Sequence, residues 1–518
     1  MSVGHDSGER AWHASLQGLV FALTGFLGSY TVADPDLWGH LRFGLDTLQA
    51  GAVVRTDPYS YLSGGQPWIN HEWLSEVLMA LAWDRFGAPG LVALKLGVLW
   101  GMVAVILSHL RRRHLPLAGA AIVIVMGWWL VLPWTTACRP QVFTYLGCAM
   151  VLGLVARAED GDYAALWWAV PLLAAWANLH GGFIAGIALL GVWAAAHVAS
   201  RVWWYGWRHR AAPYAIRSAG LPILAAIAAT AITPYGPQLW VFLRTALEPR
   251  GEIAEWNPIA VTSLEGLAHL VILVPAIAGW LGSERPRPAG LVAVFTCAAA
   301  GPFVARRHTP LFAIAVMMLA AEHMADVAQR FVARRFVGSS PSPPAPRFRL
   351  AVSGSIALSA ALFALASLPH FGAIVIRPWD VPVAPVRWLA QTPVSGNMVT
   401  FFDWGEYAIW YLAPRIKVSM DGRRETVYPR AVYDEDQRLL YGVGRWDALL
   451  ARGNPSLVLM SRDFAADNLL RQSPDWHVVY ADERCTLFAR AGSPQERILL
   501  AHRPPPPAVP DDARLSFP

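Results

Sequence analysis

The residues best suited to chemistry are concentrated in one segment of the chain, between Ala33 and Glu76. Their side chains are carboxylates, imidazoles and one guanidinium: Asp34, Asp36, His40, Arg42, Asp57, His71, Glu72 and Glu76. Carboxylates grouped in this way could act as general bases, bind a divalent metal, or hold a phosphate through that metal. The alternative is that they are helix caps and surface charges in a hydrated loop.

Helical periodicity predicts how part of this segment is presented. Four leucines recur at helical spacing: Leu37, Leu41, Leu45 and Leu48. They predict an amphipathic helix that begins at Asp36 and ends at Gly51. Asp36, His40 and, less closely, Phe43 share one face of it. Asp36 at the helix start is equally suited to a role with the helix dipole.

A second helix is predicted to start near Asn70. It would place Glu72 and Glu76 on one face, at i and i+4. The turn-forming residues Asp57-Pro58 and Gly64-Gly65 separate the two predicted helices. Both helices lie in the same loop.

The composition places this loop at a membrane. The 518 residues are 55% hydrophobic and only 15% charged, with a mean hydropathy of +0.37, whereas soluble domains carry about 25% charged residues. The apolar residues form runs of roughly 16–20, the length that crosses a hydrocarbon core. We predict about eleven spans, near 13–33, 91–109, 115–133, 141–156, 164–178, 182–200, 219–233, 264–281, 289–305, 309–324 and 350–368.

Basic residues set the predicted orientation. With the N-terminus in the cytoplasm, the inside loops carry most arginines, including Arg111–Arg113, Arg208, Arg210, Arg334 and Arg335. The first apolar run leads directly into Asp34 without a small-residue cleavage site, so it is predicted to be a span and not a signal peptide. The net charge of +6 follows from these loops and does not indicate nucleic-acid binding. The composition suggests a bacterial inner (plasma) membrane protein.

Two units follow from this topology. Residues 1–368 form the membrane domain, with a first external loop at 34–90 and a cytoplasmic linker at 325–349. Residues 369–502 form an external α/β domain, because short apolar runs alternate there with helical stretches such as Ala431–Leu440. The strand-like runs are Met398–Phe402, Ile416–Met420, Leu457–Met460, Trp476–Tyr480 and Thr486–Ala489. Residues 503–518 are Pro-rich and predicted to be disordered.

A basic group lies on the outer side, against the charge trend. Arg306, Arg307 and His308 end one span, and Arg139 stands in the second outside loop. Cations placed there suggest an anion, and a lipid phosphate is the natural candidate. Pairing with Glu252, Glu255 or the acidic loop is the alternative. His180, in a tight outside turn, could bind a ligand, although a hydrogen-bonded turn histidine is the more ordinary role.

The first loop resembles a known family. The pattern Asp36-x-x-x-His40-x-Arg42, with Asp57-Pro58 downstream, resembles the first external loop of oligosaccharyltransferase catalytic subunits. These belong to the superfamily of membrane glycosyltransferases of the C-type (GT-C) fold, which also holds protein O-mannosyltransferases and lipid A aminoarabinose transferases. The resemblance implies a sugar donor linked to polyprenyl phosphate and delivery on the external face. It implies that Asp36 is the catalytic aspartate, with Asp34 as the alternative. We predict that Glu72 and His71, in the same loop, support it.

A second correspondence lies at the start of the external domain. Phe401-Phe402-Asp403-Trp404-Gly405, with Tyr407 shortly after, resembles a divergent aromatic–aromatic–Asp–Tyr–Gly signature of the same family. It implies that Asp403, Trp404 and Tyr407 bind the acceptor. Three aromatic positions differ in identity, so acceptance of an Asn sequon does not follow. The alternative is a strand and turn in which Asp403 caps and Gly405 supplies a positive φ.

One departure from the family concerns the metal. Oligosaccharyltransferases carry an acidic motif in the second outside loop, where this chain has no carboxylate between Trp134 and Gln141. A divalent cation would then be held by first-loop groups such as Asp36, Glu72 and His71, or catalysis would be metal-free. The cofactor stays open.

Two functional hypotheses follow. The first is a membrane glycosyltransferase whose partners are a lipid-linked donor, membrane lipids and an acceptor that could be protein, glycan or lipid, with no nucleic acid. The second is a scaffold or envelope-assembly factor that has kept the fold and lost the activity. A transporter is less favoured, because paired interrupted helices and midmembrane charge chains are lacking.

Overall fold

The computed structural model describes residues 3–246, 253–335, 346–377, 380–505 and 515–518. Eight helices in this part of the chain are long and apolar enough to cross a membrane: Trp73–Arg112, Leu117–Trp134, Val142–Glu159, Phe183–Tyr205, Ala211–Ala229, Leu264–Gly282, Arg306–Arg335 and Leu350–Phe371. The other three predicted spans coincide with the first helix, Val3–Ser29, and with two shorter apolar helices, Tyr163–Leu179 and Ala289–Phe303. Eight spans are therefore supported, and the number eleven stays a prediction.

The first external loop contains the predicted helix, Asp36–Ala50, called here the loop helix. It ends at Gly51, which has φ 65° in the left-handed region, where glycine is favoured because it has no Cβ. The second helix, predicted to start near Asn70, begins at Trp73. It continues into the next span as one helix, Trp73–Arg112. A kink at Gly87, with φ 61°, separates the loop portion from the membrane portion.

The external domain is the predicted α/β unit. Its five strands are Gly396–Thr400, Ile416–Val418, Leu457–Ser461, Trp476–Ala481 and Cys485–Arg490. The strand Gly396–Thr400 pairs in parallel with its neighbours on both sides, and the last two strands are antiparallel. The helices are Val383–Gln391, Gly405–Leu412, Arg424–Val427, Arg430–Tyr441, Ala465–Gln472 and Pro494–Ala501. All five strand predictions and the helix predicted at Ala431–Leu440 are confirmed.

The last residues of the chain that the structure describes, 515–518, pack against the first loop and the external domain. Leu515–Ser516 pairs with Val375–Ile376, which in turn pairs with Val32–Ala33 beside the first span. Phe517 is 4% exposed and packs against Trp38, Trp83 and Trp410, with ring centroids 5.1–6.2 Å apart. The burial of this ring stabilises the packing of the last residues. Residues 506–514 and the middle of the predicted linker, 336–345, lie outside the described residues, as does Glu252.

Arg423 joins the external domain to the first loop. Its buried guanidinium donates to Asp57 Oδ1 at 3.0 Å and to Asp421 Oδ2 at 2.7 Å. It also lies over the rings of three first-loop aromatics, Phe43, Tyr59 and Trp68, at 4.6–5.0 Å. The edge strand Ile416–Val418 meets the same loop, because Tyr61 N–H donates to Val418 O. These contacts fix the loop helix against the domain.

Truncating Phe517 should loosen this assembly. Phe517→Ala is expected to destabilise the protein by about 3 kcal/mol, because a buried aromatic ring is removed and a cavity is left. Thermal unfolding in detergent measures the loss, with Leu500→Ala as the control, since Leu500 is 69% exposed. Equal melting temperatures for the two variants would contradict the ordered packing of the C-terminus.

Candidate functional site

A cavity of about 1110 Å³ lies between the loop helix, the spans and the external domain. Its polar wall contains most of the residues that the sequence analysis selected: Asp36, His40, His71, Glu72, Arg139, His180, Arg307, His308 and Asp403. The same wall also contains Asn70, Glu76, Glu255 and Glu406. Residues more than 360 positions apart in the chain therefore share one site.

Asp36 begins the loop helix and faces the cavity. The helix has no side-chain cap hydrogen bond at its N-cap residue, Pro35. The Asp36 carboxylate instead lies 2.8 Å from Arg139 Nη2, and its side chain is 36% exposed. This position makes the carboxylate available to a molecule in the cavity.

Arg139 occupies the centre of the acidic group. It contacts Asp34 as well as Asp36, and its Nη1 lies 3.9 Å from Glu255 Oε2. Pairing with the acidic loop, one of the alternatives for this arginine, is thus observed. The second outside loop contributes a cation to the site and no carboxylate.

Glu72 lies among three histidines. Its carboxylate oxygens are 3.4 Å from His180 Nε2, 3.6 Å from His71 Nε2 and 3.9 Å from His40 Nδ1. The amide of Gly182 donates to His180 Nδ1 at 2.9 Å, so neutral His180 carries its proton on Nε2. His180 therefore donates toward Glu72 and is poorly suited to bind a metal through that atom.

Three of these groups could hold a divalent cation. Ligand atoms of His40, Glu72 and Glu76 all lie within 4.8 Å of one another, and Asn70 donates to the second oxygen of Glu76. Imidazole nitrogen with two carboxylates suits ions such as Mn²⁺ or Zn²⁺. Of the three metal ligands proposed from the sequence, Glu72 belongs to this group, whereas Asp36 and His71 do not.

His40 and His71 differ in protonation because their pKa values are shifted in opposite directions. Burial alone would lower the pKa of His40, but its hydrogen bond to Glu76 and the carboxylates of Glu72 and Glu76 raise it to about 10. Burial, together with the charge of His40, lowers the pKa of His71 to about 4. A protonated imidazole at His40 thus supplies the positive charge where a metal would fit.

The basic group divides into two parts. Arg307 lies over the Trp256 ring at 4.5 Å, and 3.9 Å separates it from Glu255 Oε1. His308 also lines the cavity. Arg306 does not line it and pairs with Glu265 at 3.7 Å. With Arg139, three of the four predicted anion-binding residues therefore line the cavity.

The cavity continues from Arg307 into the membrane domain. Its apolar wall consists of residues from four helices: Cys148, Leu152, Ile184, Ala185, Ala188, Leu189, Ala298, Leu311 and Ala315. Leu152 lies ten residues into its helix, about 15 Å along the axis at 1.5 Å per residue. One space therefore joins a cationic end to an apolar channel.

The residues of the aromatic motif differ in whether they line the cavity. Asp403 lines the cavity. Trp404 and Tyr407 do not: Trp404 is buried and donates to Asp380 O at 3.1 Å, and Tyr407 packs edge-on against Trp38 at 4.9 Å. Gly405 has φ −59°, so the alternative of a positive φ is wrong. Glycine is needed there because a Cβ would overlap the carbonyl of Met420.

Three first-loop residues, Arg42, Asp34 and Asp57, lie outside the cavity wall and form ion pairs or hydrogen bonds with neighbouring residues. Arg42 pairs with Asp46 at 2.9 Å, and Asp34 contacts Arg139. Asp57 accepts hydrogen bonds from Tyr59 N–H, Ser63 Oγ and Arg423. None of the three carboxylate or guanidinium groups lines the cavity.

Glu406 is the site residue that sequence reasoning missed. It is 4% exposed and enters the cavity from the helix Gly405–Leu412. The available signal was local: a lone carboxylate in an otherwise apolar and aromatic helix, directly after the Asp403 motif. Its proximity to Asp36 could be found only from the fold.

Comparison with solved structures identifies this architecture. The archaeal oligosaccharyltransferase AglB from Archaeoglobus fulgidus, in complex with an inhibitory peptide and a dolichol-phosphate, matches with a TM-score of 0.59 at 14% identity, over 88% of this chain and 70% of that one. Two structures of ArnT from Cupriavidus metallidurans, one bound to undecaprenyl phosphate and one in the apo state, cover 95% and 94% of this chain and 98% of theirs, also at 14% identity. Their TM-scores of 0.47 and 0.49 are too low to add to the assignment.

The chain therefore has the GT-C fold predicted from its sequence, and it is a multi-pass membrane protein. No protein-family model matches the sequence. No curated protein matches it either.

Removing Arg423 should separate the two halves of the site. Arg423→Ala is expected to destabilise the protein by about 3–5 kcal/mol, because Asp57 and Asp421 would be left as buried, uncompensated charges. Arg430→Ala is the control, since this arginine is 78% exposed and its pair with Asp434 is on the surface. Denaturant or thermal unfolding measures both, and an Arg423→Ala protein as stable as the control would contradict the clamp.

The histidine–carboxylate group predicts a pH dependence. His40 has a pKa of about 10 when folded, raised from 6.5, so its contribution to stability is complete below pH 6.5 and lost as the pH rises to 10. In EDTA, the difference in melting temperature between wild type and His40→Gln should shrink over this interval. Added Mn²⁺ should stabilise wild type more at pH 9 than at pH 6.5, because it displaces the His40 proton.

His502→Gln is the control, since His502 is exposed and far from the group along the chain. A difference between wild type and His40→Gln that is constant across the pH range would contradict the assigned protonation. Equal stabilisation by Mn²⁺ of wild type and His40→Gln would contradict the metal fit.

Proposed function

We propose that this chain is a glycosyltransferase that moves a sugar from a polyprenyl-phosphate carrier to a hydroxyl acceptor at the face of the membrane where the external domain lies. In this proposal the N-terminus is cytoplasmic, the membrane is the bacterial inner membrane, and residues 1–368 and 369–502 are the two domains. The dolichol-phosphate in the complex of the structurally similar AglB supports a carrier of this class.

The observation that carries the proposal is the single cavity with two unlike ends. The apolar channel would accommodate isoprenoid units, and Arg307 and His308 stand where that channel meets the polar wall. A lipid phosphate has the same two-part chemistry. The sugar would then lie between the phosphate and Asp36.

The reaction follows from these positions. The acceptor hydroxyl forms a bond to the anomeric carbon, and the bond from that carbon to the phosphate oxygen breaks with its electron pair going to the phosphate. Asp36 receives the hydroxyl proton. Arg307 and His308 stabilise the negative charge that develops on the phosphate, and positioning supplies the rest. A divalent ion held by His40, Glu72 and Glu76 would supply further charge neutralisation.

The scaffold hypothesis is supported by a different observation. Arg139 contacts Asp34 and Asp36 together, which compensates the charge of the proposed base without any substrate. A chain that had lost activity could keep this arrangement as a structural ion pair. Binding of the carrier separates the hypotheses, because a scaffold has no need of it.

Arg307 and Arg306 provide a matched pair for this test, since they are adjacent and carry the same charge. Arg307→Ala should weaken binding of undecaprenyl phosphate by at least about tenfold, because a charge-assisted contact is lost. Arg306→Ala should change it by less than about threefold, because Arg306 pairs with Glu265. Native mass spectrometry of the purified protein with undecaprenyl phosphate measures both.

Asp36→Asn completes the test. It should bind the carrier as wild type does and lose turnover by about 100-fold or more, because a general base is removed. Failure of wild type to bind undecaprenyl phosphate, or equal losses in Arg306→Ala and Arg307→Ala, would overturn the proposed donor site.

A further inference from the structure

Glu406 lies beside Asp36 although the two belong to different halves of the molecule. Glu406 Oε1 and Asp36 Oδ1 are 2.7 Å and 2.8 Å from the point where a Cβ on Gly422 would stand. Both side chains line the same cavity. Glycine at position 422 thus leaves room for two carboxyl groups to face one small space.

The loop helix also makes room for Glu406. A Cβ on Gly39 would overlap Glu406 Oε2 and Cδ. Gly39 stands three residues after Asp36 in the same helix, so the glycine that admits Glu406 and the aspartate that faces it are on one element. Any other residue at position 39 would push Glu406 away.

Glu406 is not explained by an ion pair or by a structural hydrogen bond. Its Oε2 is buried and has no hydrogen-bond partner among the described residues. A buried carboxylate oxygen without a donor is costly. Burial, followed by the charge of Asp36, raises the pKa of Glu406 well above its ordinary value. This shift favours the protonated carboxyl group, which can donate a hydrogen bond.

We propose that Glu406 is a further catalytic residue, and that Glu406 and Asp36 together bind the attacking hydroxyl group of an uncharged acceptor. This inference rests on the proposed glycosyltransferase function and deepens it by naming the acceptor class. A hydroxyl is both donor and acceptor, so it donates to the Asp36 carboxylate while Glu406 donates to one of its lone pairs.

The proton balance is simple. The bond from the hydroxyl oxygen to the anomeric carbon forms as the carbon–phosphate oxygen bond breaks, and the hydroxyl proton passes to Asp36. Glu406 keeps its proton and holds the oxygen in line with the carbon. Arg139 already pairs with Asp36, and an anionic acceptor would compete with Asp36 for that arginine while lying beside Asp403 on the same wall. The pair therefore selects an uncharged hydroxyl compound.

Two variants test Glu406 from opposite sides. Glu406→Gln keeps the shape of the side chain, whereas Gly39→Ala leaves Glu406 intact and displaces it. The control is Gly97→Ala, since Gly97 is also a helical glycine and a Cβ there meets no atom within 4 Å. Comparable melting temperatures for Glu406→Gln and Gly97→Ala would show that both proteins fold.

The assay uses undecaprenyl-phosphate-linked glucose, galactose, mannose and N-acetylglucosamine as donors. Octyl glucoside is the uncharged hydroxyl acceptor, and octyl glucuronide is its anionic counterpart. Mass spectrometry measures the released undecaprenyl phosphate and the glycosylated octyl glycoside.

We expect wild type and Gly97→Ala to use octyl glucoside at least about tenfold better than octyl glucuronide. Glu406→Gln and Gly39→Ala should lower kcat by about 100-fold and leave the KM for the donor within about twofold, because Glu406 is not at the phosphate end of the cavity. Undecaprenyl phosphate binding should be retained by every variant.

The outcomes separate the two proposals. If wild type transfers sugar and Asp36→Asn does not, but Glu406→Gln and Gly39→Ala are as active as Gly97→Ala, the role of Glu406 is refuted and the glycosyltransferase function stands. Equal use of the two octyl glycosides by wild type would refute the acceptor class. Wild type that neither binds undecaprenyl phosphate nor consumes a donor would refute the glycosyltransferase function, and the role of Glu406 with it.

Discussion

The buried guanidinium of Arg423 is the contact on which the site depends. It bridges Asp57 in the first loop and Asp421 in the external domain, and it lies among three aromatic rings of that loop. A charge buried in this way is stable only while both carboxylates stay in place. The loop and the external domain are therefore held in one relative position, and each half of the cavity wall is defined by the other.

This fixed arrangement explains why several positions near the interface are occupied by glycine. A Cβ on Gly39 would collide with Glu406 across the interface, and a Cβ on Gly422 would meet both Asp36 and Glu406. A Cβ on Gly405 would overlap Met420 within the external domain. These glycines allow the loop helix and the helix Gly405–Leu412 to approach closely enough for Asp36 and Glu406 to share one space. Trp38 fills the other side of the same contact, between Tyr407 and Phe517. The close packing fixes the geometry of the carboxyl groups more tightly than a hydrated loop could.

Local sequence signals predict the elements well and their meeting points poorly. The leucine spacing and Gly51 predict the loop helix, and the alternating apolar runs predict the five strands, because both patterns reflect burial within one element. The direction of Arg306 and the packing of Phe517 depend on Glu265 and on three tryptophans far away in the chain. The proximity of Asp36 and Glu406 also depends on tertiary contacts, because no sequence periodicity relates two residues so far apart in the chain.

The proposed reaction requires the cavity to hold a carrier phosphate between Arg307 and the Asp36–Glu406 pair. The most direct measurement is an electron cryomicroscopy structure of the protein with undecaprenyl phosphate. We predict density for the phosphate against Arg307 and His308, with the isoprenoid chain along Leu152 and Leu189. Lipid density confined to the outer surface of the spans, with an empty cavity at saturating undecaprenyl phosphate, would contradict the proposed reaction.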